Sequence, residues 1–212
     1  MRRETLSHRE RVRLALQHQI TDRIPIAFVC SGINPPAHRA LEEYLARERG
    51  VTVAEYLHPL LDLKPALPRY VGPALAPRTD YWGVHRSPLS YGADVYSEID
   101  VYPLAQAQTV ADVAAYPFPQ PEWFDYASMP ALVKSLQAEG EYCLMLANAN
   151  IFETSWYMRG FEQCFMDMIL APDIFHAIMG RVTDFYIEYV NRTLSAVPGE
   201  IDLVFTADDI GG

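Results

Sequence analysis

Cysteine is scarce in this chain: Cys30, Cys143 and Cys164 are the three in 212 residues. An odd number of widely spaced thiols does not make a disulfide frame, so a reduced, cytoplasmic protein is expected. Long apolar runs are missing as well. No stretch approaches the ~18 consecutive apolar residues of a membrane-spanning helix. The basic start Met1-Arg2-Arg3-Glu4-Thr5-Leu6 runs into His8-Arg9-Glu10-Arg11 and not into an apolar core, so no secretory signal is expected. Positive charge is in short supply. Lys and Arg total 17 against 27 Asp and Glu, for a net charge of -10 and a pI near 5.0. A surface of that sign repels phosphate, which argues against nucleic acid as a partner. No Gly-rich phosphate loop, nucleophile elbow or HExxH pair occurs, the six histidines are scattered, and no His-Cys or Cys-Cys spacing makes a zinc site. No repeat at solenoid periods is present.

The composition does supply a core: 50% of residues are hydrophobic and 12% aromatic, which excludes a disordered chain. Ser7-His8-Arg9-Glu10 reads as a capping box opening a helix that Asp22-Arg23 closes, before a strand over Ile24–Val29. Pro35-Pro36 opens a second helix ended by Gly50, and Thr52 caps a short third. Leu61 to Leu67 reads equally as strand or loop. From about 69 to 104, prolines, glycines and aromatics punctuate the chain, and the alternation of Val95, Ser97, Ile99 and Val101 predicts an inserted β-hairpin. Thr109 caps a brief helix, and prolines 117, 119 and 121 hold an extended segment. Ser128 to Glu139 is helical, Tyr142 to Ala147 is a buried strand, and helical signal runs from Phe152 through Leu170. A long apolar stripe follows from Ile174 to Leu194, and Ile201 to Phe205 reads as a last strand.

Helices alternating with strands predict an α/β fold of parallel βα units: the N-terminal portion of a (β/α)8 TIM barrel with an inserted hairpin, forming one incomplete domain over 1–212. A closed barrel takes ~250 residues and eight strands. Three or four strands are found here, so the later ones are expected to lie outside this sequence.

Several segments resemble the uroporphyrinogen decarboxylase superfamily in the right order. They are Arg9-Glu10-Arg11-Val12 with Asp22-Arg23-Ile24-Pro25-Ile26, Thr79-Asp80-Tyr81-Trp82-Gly83-Val84, Tyr96-Ser97-Glu98 with Tyr102-Pro103-Leu104, and Tyr116-Pro117-Phe118-Pro119. Phe152-Glu153, Met158-Arg159-Gly160-Phe161-Glu162, Ala171-Pro172-Asp173 and Asp208-Asp209-Ile210-Gly211 complete the set. The resemblance implies a (β/α)8 barrel acting either as a carboxy-lyase on a tetrapyrrole, without a cofactor, or as a methyltransferase taking methyl groups from a corrinoid protein. On the second branch it implies zinc, held by a late His-x-Cys and a distant Cys beyond residue 212, to activate a thiol acceptor. One departure matters. The decarboxylase carries an Arg-Gln-Ala-Gly-Arg-Tyr loop after its first strand, whereas Phe28 to Pro35 here contains no arginine. A substrate with eight carboxylates needs several cations.

Asp208 and Asp209, at the end of a strand, are the candidate catalytic carboxylates, either holding a substrate N–H or acting as general acid; a helix cap is the plain alternative. Asn148 and Asn150 follow the preceding strand and could touch substrate from a loop, or serve the turn. Glu153 and Arg159 could contact ligand or form a surface ion pair. Trp82 could floor a pocket or pack in the core. Asp62 stands at an expected early strand end; the decarboxylase uses an early-strand aspartate to hold pyrrole N–H groups, but the residues around Asp62 do not match it well. Cys30 could face the site or behave as a small hydrophobe, and Cys143 and Cys164 read as core. The expected partner is a small molecule, tetrapyrrole or methyl donor, with self-association through open barrel edges as a further expectation. A partner-binding half-barrel without catalysis is the remaining alternative.

Overall fold

The computed structural model describes residues 4–28, 32–92, 94–147 and 149–208. Among them the order is α1 (His8–Leu16), α2 (Pro35–Arg49), α3 (Val53–Leu57), β1 (Leu63–Pro65), β2 (Arg69–Tyr70), β3 (His85–Tyr91), β4 (Asp94–Val101), α4 (Val110–Ala115) and β5 (Phe124–Asp125). Then come α5 (Met129–Glu139), β6 (Cys143–Ala147), α6 (Ile151–Arg159), α7 (Phe161–Leu170), α8 (Pro172–Ala196) and β7 (Leu203–Phe205). The fold is mixed α/β, with eight helices among the described residues and a three-stranded parallel sheet. No helix is long and apolar enough to cross a membrane among the described residues.

Local chemistry sets most helix starts. Ser7 and Glu10 close a capping box in both directions, and Thr52 with Glu55 and Thr109 with Asp112 repeat it. Asn34 caps α2 ahead of Pro35, and Gly50 ends it at φ 67°, a left-handed conformation that suits glycine.

Three expectations need correction. Helix α1 stops at Leu16 instead of reaching Asp22. Asp22 is occupied elsewhere, accepting from the N–H groups of Thr5 and Leu6 and from Arg11. Residues 24–28 belong to no strand, although Ile26 is joined to the start of β1: its C=O accepts from the Asp62 N–H (2.8 Å) and its N–H donates to the Asp62 carboxylate (2.8 Å). The helical stretch ending at Leu170 is two helices, because Gly160 takes φ 97° between them.

The chain divides into two compact units. One comprises Met1–Leu67, Ala127–Ala147 and Ala196–Phe205. It holds the parallel sheet in the order β1-β6-β7, with Leu63 opposite Cys143 and Met145 opposite Leu203. Every residue of β6 is buried, as in a strand covered on both faces. The period of two separates its side chains. Leu144 packs with Ala66, Met129, Val133 and Val197, while Cys143, Met145 and Ala147 pack with Val12 and Leu63.

The other unit comprises Pro68–Tyr126, Asn148–Ser195 and Thr206–Gly212. It contains the expected hairpin, β3 paired antiparallel with β4, the short pair β2–β5, and helices α4, α6, α7 and α8. Phe185, Tyr186 and Tyr189 of α8 meet Trp82 and Phe124 with ring centroids 4.9 to 6.0 Å apart. Arg159 is buried in an ion pair with Asp167 (2.6 Å) and donates to the carbonyls of Leu104 and Ala107.

Candidate functional site

The loops after β6 and β7 are stitched together. The Thr206 hydroxyl donates to the Ala149 carbonyl (3.0 Å), and the Ala207 N–H donates to Asn150 Oδ1 (3.0 Å). Asp208 then accepts from the N–H groups of Ile151 (3.1 Å) and Glu153 (2.8 Å). These are first-turn donors of α6, which lack partners inside the helix. Asn150 stands at the N-cap but makes no side-chain cap bond, so Asp208 performs that task from a distant part of the chain. A negative charge is favoured at this end of a helix.

The Asn150 side chain is turned sideways instead. Its amide donates to Glu153 Oε2 (2.5 Å), and the Tyr157 hydroxyl, one helical turn on, donates to Glu153 Oε1 (2.5 Å). The Arg86 guanidinium lies 5.0 Å from the centre of the Tyr157 ring and is paired with Asp80 (2.8 Å). Asp80 is itself held by the N–H groups of Trp82 and Val84. The result is a partly buried group of carboxylates, Glu153 and Asp208, met by neutral donors, with one nearby arginine already committed to an aspartate. Each carboxylate oxygen has capacity for a further donor. Such a group suits a substrate N–H, hydroxyl or positive charge, and it repels anions.

The remaining sequence candidates fall elsewhere. Trp82 is 4% exposed and is enclosed by the rings of α8, which is the packing role. Asp62 is fully buried and receives His8 Nδ1 (2.8 Å), Arg11, both terminal nitrogens of Arg23, and the Ile26 N–H. Burial opposes its charge, but the Arg23 bond, followed by those from Ile26, His8 and Arg11, holds the carboxyl below its ordinary range. The expected strand end is in fact a strand start: β1 begins one residue after Asp62, so this carboxylate stands at the amino end of the sheet. Glu153 and Arg159 do not pair with each other; Arg159 belongs to Asp167. Asp209, Asn148 and Cys30 lie outside the described residues. Cys143 and Cys164 are core thiols, pushed up to about 12 and about 11 chiefly by burial.

Sequence reasoning did not bring Tyr157 and Arg86 to the site. The signal for Tyr157 was present in the spacing Asn150, Glu153, Tyr157, which puts three polar groups on one helix face. Among the described residues no three His, Cys, Asp or Glu side chains come together to hold a metal.

No family model matches the chain, and no curated protein matches it in sequence. A solved structure of a methyltransferase from Methanosarcina mazei superposes with a TM-score of 0.53 at 14% identity, covering 96% of this chain and 59% of that one. At that identity the likeness speaks for the fold alone. This chain spans about three fifths of that protein's length.

Proposed function

We propose that the chain is the first part of a (β/α)8 barrel and that its reaction class is methyl transfer, the second branch of the superfamily it resembles, with the group around Glu153 and Asp208 as its substrate-binding end. The architecture fits. Residues 24–28, β1, β6 and β7 lie side by side in chain order, and the three strands are parallel. A doubly wound open sheet would reverse its strand order at a switch point; a barrel does not. The neighbouring methyltransferase structure agrees with this reading at the level of fold.

The observation that carries the choice of chemistry is electrostatic. Glu153 and Asp208 face no free arginine among the described residues near them, and Arg86 is spoken for by Asp80. A tetrapyrrole bearing many carboxylates would be repelled there, whereas a neutral or cationic substrate would gain hydrogen bonds. The decarboxylase reading therefore loses its support. Zinc does not fit the described residues, where no three His, Cys, Asp or Glu side chains gather. In this reading Glu153 orients the substrate, Asn150 and Tyr157 fix the Glu153 rotamer, and Asp208 holds the start of α6 in place. Self-association through the outer edge of β7 belongs to the same reading and would appear on sizing as a mass that grows with concentration.

The test is a pair of reactions run on purified protein in which the chain is joined to the remaining strands of the barrel. In one, methylcobalamin and a simple thiol are supplied, and the methyl thioether is followed by mass spectrometry. In the other, carbon dioxide release from uroporphyrinogen is measured. Thioether formation that falls on replacing Glu153 by Gln supports the proposal. Carbon dioxide release, or inactivity in both reactions, overturns it.

A further inference from the structure

The β3–β4 ribbon takes no part in the site chemistry beyond Arg86, yet it is built unlike an inert insertion. Tyr91 pairs with Asp94 across a two-residue connection, so the pairs 91–94, 89–96 and 87–98 exchange hydrogen bonds within the ribbon. The alternating residues then turn their backbone N–H and C=O groups outward: Ser90, Pro88 and Arg86 on β3, and Val95, Ser97 and Ile99 on β4.

The two outer edges differ. On β3, Pro88 has no N–H to offer, the Arg86 N–H donates to the Arg78 carbonyl (3.0 Å), and Thr79 bridges to His85. That edge is covered near His85 and Arg86 and lacks a donor at Pro88. On β4, no backbone bond reaches Val95, Ser97 or Ile99 from outside the ribbon among the described residues. Native proteins protect an open edge with proline, lysine or a bulge within it, and β4 has no proline or lysine. The register shift opposite His85 and Arg86 leaves Asp100 as an extra residue of β4, beyond the stretch from Val95 to Ile99.

The faces of β4 also differ. Val95 and Ile99 lie on one face, with Val95 about half exposed. Glu98 and Asp100 lie on the other, where Asp100 takes bonds from His85 and Ser87 and Glu98 takes a long one from Tyr91 (3.5 Å). Neither carboxylate is paired with a lysine or arginine among the described residues. A second copy of the same edge would set acid against acid, since an antiparallel pairing about Ser97 brings Glu98 and Asp100 of each copy toward the other's acidic face. A basic strand meets no such penalty.

We propose that the open edge of β4 is a docking edge for an extended basic segment of another polypeptide. The segment adds as a strand, its backbone pairing with Val95, Ser97 and Ile99. Its period of two places lysine or arginine side chains over Glu98 and Asp100 and apolar side chains over Val95 and Ile99. This inference is independent of the reaction the protein catalyses.

The probe is a fluorescent peptide alternating Lys and Val, titrated into the purified protein by anisotropy. Its controls are the same peptide with Glu for Lys, and with alternate backbone nitrogens methylated. Saturable binding is expected for the basic peptide, with a loss of about tenfold or more for each control, the level at which one docking mode is distinguished from another. Ser97→Pro removes an outward N–H without touching the ribbon's own bonds, and should weaken binding to a similar degree while leaving the melting profile in place. Hydrogen exchange at Val95, Ser97 and Ile99 should slow when the peptide is added. Equal binding of the acidic or methylated peptide, or no saturable binding up to ~1 mM, overturns the proposal. So does unchanged exchange at those three amides, which holds even if the Ser97 variant fails to fold.

Discussion

Asp62 and Asp202 stand one residue before β1 and β7, whereas Glu153 and Asp208 follow β6 and β7. The first two are tied to arginines near the amino terminus. Asp62 meets Arg11 and Arg23, and Asp202 meets Arg9 (3.0 Å) and Arg13 (2.7 Å) while accepting the Leu144 N–H. The second two accept from amides and a phenol. The same side-chain chemistry thus serves two ends. Where the charge is matched by arginines it holds elements together. Where it is met by neutral donors, the carboxylate has no cation to match it and retains some of its hydrogen-bonding capacity for something else. In parallel α/β folds the carboxyl ends of strands are where ligands bind.

The comparison can be broken most sharply at Asp62. Asp62→Asn leaves Arg11 and Arg23 without their shared anion, and unfolding in urea should show a loss of about 3–5 kcal/mol. A loss under ~1 kcal/mol would mean that the cluster does not anchor this unit. The acid limb sharpens the same point. The Asp62 carboxyl lies below its ordinary value, so its contribution is complete above the unfolded-state value of about 3.9 and disappears as pH falls through the folded one. Wild-type stability should therefore drop more steeply than that of Asp62→Asn below about pH 4; parallel curves would contradict the linkage. Asp202→Asn should cost less, roughly 1.5–3 kcal/mol, since Arg13 remains largely in water. At the other end of the strands, Asp208→Ala removes a cap from α6, and about 1 kcal/mol is expected. A cost as large as that of Asp62→Asn would erase the distinction between the two ends.

Much of the architecture could be read from local signals. The capping boxes at Ser7, Thr52 and Thr109, the proline opening at Pro35 and the unbroken apolar run of β6 each act within a few residues. The errors arose where distant residues decide. The first helix ends early because Asp22 is claimed by Thr5, Leu6 and Arg11. Residues 24–28 gain their place through Asp62 and not through a ladder of their own. The site followed the same rule. Asn150 and Asp208 stand out in the sequence as candidates because they follow apolar strands. Asp62 was misplaced because the three-residue β1 has no periodicity to fix its start. That Asp208 caps α6, 57 residues away in the chain, is not written in any local pattern.

The most direct measurement is urea unfolding together with substrate turnover on Glu153→Gln, set beside Asp62→Asn. If the carboxyl-end group binds substrate, Glu153→Gln keeps its unfolding midpoint and loses turnover by about a hundredfold, while Asp62→Asn loses its midpoint. A Glu153 variant that reacts as fast as wild type, or that falls apart as readily as the Asp62 variant, would contradict the account.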